Sequence, residues 1–181
     1  MKTIRAKLLT GALAAITLMC AGAEQQPAAR DAQRREMKKL EWWIGHWKGS
    51  GWIQTGPNER HEFTQTEKIE SKLDGLVMVV EGEGKSKEDG VIVHTALALV
   101  SYDAHAKKFR WHSFTPDGQI ATEAKVTDKS LEWTLEIPKQ GRMRYTITKN
   151  DQGEWFEIGE MSDESGKWRK FFEMTLRKND K

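Results

Sequence analysis

Trp42, Trp43, Trp47 and Trp52 bring four of the chain's eight tryptophans into eleven residues, and Gly45, Gly49 and Gly51 punctuate the same run. Glycine at alternate positions opposes helix and lets a neighbouring strand approach the backbone closely. Each indole removes roughly 150–250 Å² from water, about 4–6 kcal/mol at ~25 cal/mol/Å². A segment that combines close backbone approach with this much apolar surface predicts the floor of a closed β-structure.

The first 23 residues read as a secretory signal peptide. Lys2, Arg5 and Lys7 precede an apolar stretch, Gly11 to Met19, that is short for a bilayer span, and Ala21-Gly22-Ala23 supplies small residues for cleavage. The expected location is the periplasm or the exterior. Cys20 is the only cysteine. A lipoprotein reading would lipidate it, but Met19 is bulky for the position before such a cysteine. Cleavage near Ala23 leaves no thiol for a disulfide or a nucleophile.

The whole chain carries +2; the leader supplies three positive and no negative charges, so the remainder is −1. Lys and Glu are interspersed with no basic face, which argues against a nucleic-acid partner. Residues 24–30 read as a disordered tether, 31–181 as one domain, and Asp31 to Leu40 as a short helix capped by Asp31.

From Trp47 onward the apolar period becomes two. Ten strands are expected: Trp47–Gln54, His61–Ser71, Leu76–Gly84, Val91–Tyr102, Lys108–Phe114, Ile120–Thr127, Ser130–Ile137, Arg142–Lys149, Trp155–Ser162 and Trp168–Lys178. Turn residues separate them, and no helix interrupts for a βαβ crossover. Leu131, Trp133, Leu135 and Ile137 share one face, as do Met143, Tyr145 and Ile147, and Phe172, Met174 and Leu176. One apolar and one polar face per strand predicts an all-β, up-and-down antiparallel barrel of about ten strands. Such a barrel has room for a ligand unless its own side chains fill it.

Gly45-His46-Trp47-Lys48-Gly49-Ser50-Gly51 has the form G-x-W-x-G-x-G and resembles the first-strand signature of nitrobindin-type β-barrels. Its G-x-W part resembles the wider lipocalin group. Leu40 to Gly51, Leu73 to Gly84, Ala98 to Asp103, Lys108 to Trp111 and Phe172 to Lys178, in that order, resemble a bacterial family of secreted lipocalin-like (calycin) proteins with no assigned reaction. The resemblance implies a ten-stranded calycin-like barrel with an apolar-lined pocket. Nitrobindins hold haem through a histidine on the last strand. Trp168 to Lys178 contains none, so haem is not expected.

Among the five histidines, His94 and His112 lie on strands, and inward-facing rings could meet a ligand carboxylate, haem iron or a metal. Trp111 competes with His112 for the inward place, and no histidine has metal-ligand spacing. Glu157, Glu160 and Glu173 could do acid–base work if burial split their pKa values, but Arg142, Arg144 and Arg177 offer exterior ion-pair partners. Gly82-Glu83-Gly84-Lys85-Ser86 lacks the earlier glycine and following helix of a phosphate loop. No catalytic or metal residue is assigned.

The expected pocket residues are Trp111, Trp133, Met143, Tyr145 and Phe172, and the expected barrel-closing motif is Gly45, Trp47, Gly49 and Gly51. The functional expectation is binding of a small apolar or amphipathic molecule. A ligand-free interaction module and a haem-binding barrel enzyme are the other readings.

Overall fold

The computed structural model describes residues 27–138, 141–163 and 165–179. The signal peptide and Cys20 lie outside the described residues. Helix α1 spans 27–37 and tightens into a 3₁₀ stretch, Lys38–Trp43. Residues 27–30, expected as tether, are therefore already helical, ahead of the expected start at Asp31. Met37, Leu40 and Trp43 are buried.

Ten strands follow: β1 (Gly45–Gly56), β2 (Glu59–Lys72), β3 (Val77–Ser86), β4 (Ile92–Asp103), β5 (Lys108–Thr115), β6 (Gly118–Val126), β7 (Ser130–Ile137), β8 (Gly141–Lys149), β9 (Trp155–Ser162) and β10 (Trp168–Lys178). Each pairs antiparallel with its sequence neighbour, and β10 returns to pair with β1. The barrel is closed, so no strand edge stays open. The alternation that predicts this fold survives in the register: Trp133 opposes Tyr145, and Leu131 opposes Ile147, on the inward face.

Two glycines make the closure possible. A methyl group at Gly49 would overlap the Thr175 carbonyl oxygen and the Leu176 backbone, and one at Gly51 would overlap Glu173 and Met174. Strands β1 and β10 can pair this closely only without side chains at those positions.

The helix closes one end of the barrel. Gln33 Nε2 donates to the Leu76 carbonyl at 3.0 Å, and Arg34 donates to the Asp74 carbonyl at 3.0 Å and to its carboxylate at 2.6 Å. These three bonds fix α1 to the β2–β3 turn. Trp47 Nε1 donates to the Trp43 carbonyl at 2.7 Å, tying the 3₁₀ stretch to β1. The outer wall carries ion pairs, including Arg144–Glu160 at 2.6 Å and Lys125–Glu132 at 3.2 Å. Arg144 also stacks on Trp168, 4.3 Å from its ring centroid.

Candidate ligand-binding interior

An unbroken series of aromatic rings crosses the barrel. Trp43 meets Trp155 edge-on at 4.8 Å and stacks with Trp111 at 6.5 Å. Trp111 stacks on Trp133 at 5.5 Å, and Trp133 on Tyr145 at 4.6 Å. Tyr145 meets Phe172 edge-on at 5.6 Å, and Phe172 stacks on Phe63 at 5.6 Å. Four of the expected pocket residues, Trp111, Trp133, Tyr145 and Phe172, thus form one contiguous wall. Met143 shares Tyr145's face of β8, one step further from the helix, and is half-buried.

Burial along this interior is uneven. At the helix end Leu40, Trp43, Val100, Leu131 and Leu176 are fully covered, and Trp47 is 1 % exposed. Further from the helix Ile53, Ile120, Leu135, Met143, Tyr145 and Phe172 face inward and yet are only partly covered. The interior is therefore closely packed beside α1 and less completely covered toward the opposite mouth.

A β-bulge between Lys170 and Phe172 breaks the alternation of β10. It brings Phe171, assigned to the outer face by strict alternation, into edge contact with Tyr145 at 5.7 Å.

Polar groups interrupt the apolar interior on the wall made by β2 and β9. Phe63, Gln65, Glu67 and Ile69 share the inward parity of β2, and Trp155, Glu157 and Gly159 that of β9. Gln65 and Glu157 are buried, at 4 % and 8 % exposure. Gln65 Nε2 donates to Glu67 Oε1 at 2.7 Å, and Trp155 Nε1 donates to Glu157 Oε2 at 3.0 Å. Glycines on β3 make room for the first pair. A Cβ at Gly82 would stand 2.5 Å from Glu67 Oε1, and one at Gly84 would stand 2.6 Å from Gln65 Oε1.

The surroundings hold both carboxyls protonated far above the usual range. Loss of hydration pushes Glu67 up to about 7, against the opposing effect of its Gln65 hydrogen bond. Loss of hydration, then the nearby Glu67 charge, pushes Glu157 up to about 8, against the Trp155 hydrogen bond. Burial, with the Glu157 charge second, raises the Tyr145 hydroxyl as well. Among the described residues neither carboxyl has a cationic partner. The indole N–H groups of Trp42, Trp43, Trp111 and Trp133 are buried with no acceptor.

The placement of Glu157 corrects the expectation of an exterior ladder over the last two strands. Glu160 does pair outside, with Arg144, and Glu173 pairs with Lys170 at 2.5 Å, but Glu157 faces the lumen. The signal was its parity with Trp155 and Gly159. Sequence reasoning missed Gln65 and Glu67 altogether, although both share the parity of Phe63 and Ile69. His112 is exposed on the outer face. His94 has inward parity but stands exposed near the mouth, where partial loss of hydration lowers its pKa.

A separate open groove of about 570 Å³ runs across β1 to β5, lined by outward side chains such as Thr66, Lys68, Glu81, Leu97 and Phe114. Lys68 there is already paired with Glu70 at 3.1 Å. Trp47, Glu67 and Gly82, which have the inward parity of their strands, also contribute to its lining.

The fold defines a class: a closed, ten-stranded antiparallel up-and-down β-barrel, lipocalin-like in its coarse architecture. The solved structure of Rv2717c from M. tuberculosis is similar to it, with a TM-score of 0.58 and 12 % sequence identity, covering 79 % of this chain and 96 % of that one. At that identity the likeness concerns the fold alone. No protein-family model and no curated protein sequence matches the chain.

Proposed function

We propose that the protein is an exported lipocalin-like barrel, of the secreted bacterial kind its motifs resemble, that binds a small apolar or amphipathic molecule in its lumen. The uncovered inward face beyond Trp133 carries this reading. Tyr145 and Phe172 are large rings that a solid core would cover, and here they keep accessible surface inside a barrel sealed at its other end. An apolar ligand gains transfer free energy from such a wall, at ~25 cal/mol per Å² removed from water. Titration of the folded protein with alkyl and aromatic probes, followed by tryptophan fluorescence, is expected to saturate. Phe172→Ala is expected to change the affinity. Failure of every apolar probe to saturate would overturn the reading.

Haem has no part in this proposal. Phe172, Met174 and Leu176 take the inward places on β10, and a Soret band on haem addition that His94→Ala abolishes would count against it. A second reading rests on the exposed run Val91, Ile92 and Val93, at 58 %, 52 % and 60 % exposure, which suits an interaction surface. Cross-linking that recovers a defined partner, lost in a Val91→Ser, Val93→Ser variant, would favour it.

A further inference from the structure

Glu67 and Glu157 face the lumen from β2 and β9, two strands separated by β1 and β10. Their hydrogen bonds come from one amide and one indole, and among the described residues no Lys, Arg or His lies against either carboxyl. Buried carboxylates in proteins are paired or neutralised, because an isolated one loses its hydration with nothing in return. The adjoining wall is equally incomplete. Trp133, 8 % exposed and inward-facing, has an indole N–H without an acceptor, and its ring lies stacked on Tyr145. The hydroxyl of Tyr145 is close enough to Glu157 to feel its charge. Acids and aromatic faces therefore line one continuous interior.

We propose that this interior is a binding chamber for a small organic cation, an alkyl- or arylammonium, with its charge set against Glu157 and Glu67 and its apolar body against Tyr145, Trp133 and Phe172. The inference rests on the binding function proposed above and specifies its ligand class. An ammonium offers donors to carboxyl oxygens that the protein leaves without a cation, and aromatic faces attract positive charge. A carboxylate ligand would meet two acids. A neutral ligand would leave the pair as it is. Gly82 and Gly84 favour the arrangement, since any side chain there would displace Glu67 or Gln65.

The test uses three probes with one alkyl chain: octylammonium, octanol and octanoate, titrated at pH 8.5 by calorimetry and tryptophan fluorescence. Octylammonium is expected to bind at least ~10-fold more tightly than octanol, a difference of about 1.4 kcal/mol, with octanoate weakest. Glu157→Gln is expected to abolish that preference. Should Glu157→Gln lose its near-UV dichroism, Glu67→Gln serves in its place, and the preference is expected to shrink. If octanol or octanoate binds as tightly as octylammonium, the cation inference fails and the container reading stands. If the folded variant keeps the full preference, the acids are not its source and the inference fails. If no probe saturates, both fall.

Discussion

Replacing Glu157 by glutamine is expected to make the protein more stable at alkaline pH while leaving it nearly unchanged at pH 4.5. In the folded barrel, burial and the Glu67 charge raise Glu157 from about 4.5 to about 8. The unfolded chain ionises it near the lower value. Between the two, the folded state binds more proton than the unfolded state, so unfolding free energy falls as pH rises. The Glu157 contribution is fully present below the unfolded value and is lost progressively up to about pH 8. At ~1.4 kcal/mol per pKa unit the loss is on the order of 5 kcal/mol as an upper limit, and relaxation or water entry makes about 3 kcal/mol a realistic expectation.

The groups facing Glu157 are Glu67 from β2, Tyr145 from β8 and Trp155 on its own strand, and none supplies a compensating positive charge. His94 acts in the opposite sense: its lowered pKa costs stability as pH falls below its ordinary value. The difference between wild type and variant cancels that term. Urea unfolding of both proteins at pH 4.5, 6, 7.5 and 8.5, followed by tryptophan emission, gives the required curves. Stability of the wild type should decline relative to Glu157→Gln across this range. Parallel curves, or a variant destabilised equally at every pH, would refute the assignment of Glu157 to the protonated interior.

Glu160→Gln offers the contrasting case. It breaks a part-exposed pair with Arg144 on the outer wall, and the expected loss in urea unfolding is under about 1 kcal/mol. Gly49→Ala should cost about 1–3 kcal/mol or prevent folding, because its methyl meets backbone atoms of β10. Gly82→Ala should cost less, since it meets only the end of the Glu67 side chain; its signature is a changed probe affinity. Trp43→Ala empties the plug at the helix end, where the ring is fully buried, and thermal unfolding should show a loss of about 3–5 kcal/mol.

The barrel was legible because its strands obey a period of two over most of their length. All ten expected strands are present, and β7, β9 and β10 match residue for residue. The aromatic wall was legible for the same reason, since Trp133, Tyr145 and Phe172 share parity with aliphatic neighbours. Two features resisted. Phe171 turns inward because an extra residue at the bulge shifts the alternation, and nothing in Lys170-Phe171-Phe172 marks where that shift falls. Gln65 and Glu67 were hidden by their polarity, because charged residues on a strand are ordinarily read as its wet face. Their inward course depends on bare glycines across the ladder: Gly84 opposes Gln65 and Gly82 opposes Glu67. Such pairing requires knowing the register between β2 and β3, which neither strand states alone.

The pairing of β1 with β10 makes the order of assembly matter. Strand β10 runs Trp168–Lys178 and hydrogen-bonds on both sides, to β9 and to β1. Until β10 is available, β1 and β9 each keep an unpaired edge, competent to capture another chain. Cooperative closure must await a contact spanning well over a hundred residues of sequence, the slowest kind to form. A nascent or truncated chain lacking β10 is thus a candidate for strand exchange or aggregation, however sound its other hairpins. The C-terminal strand acts as the latch of the folding reaction.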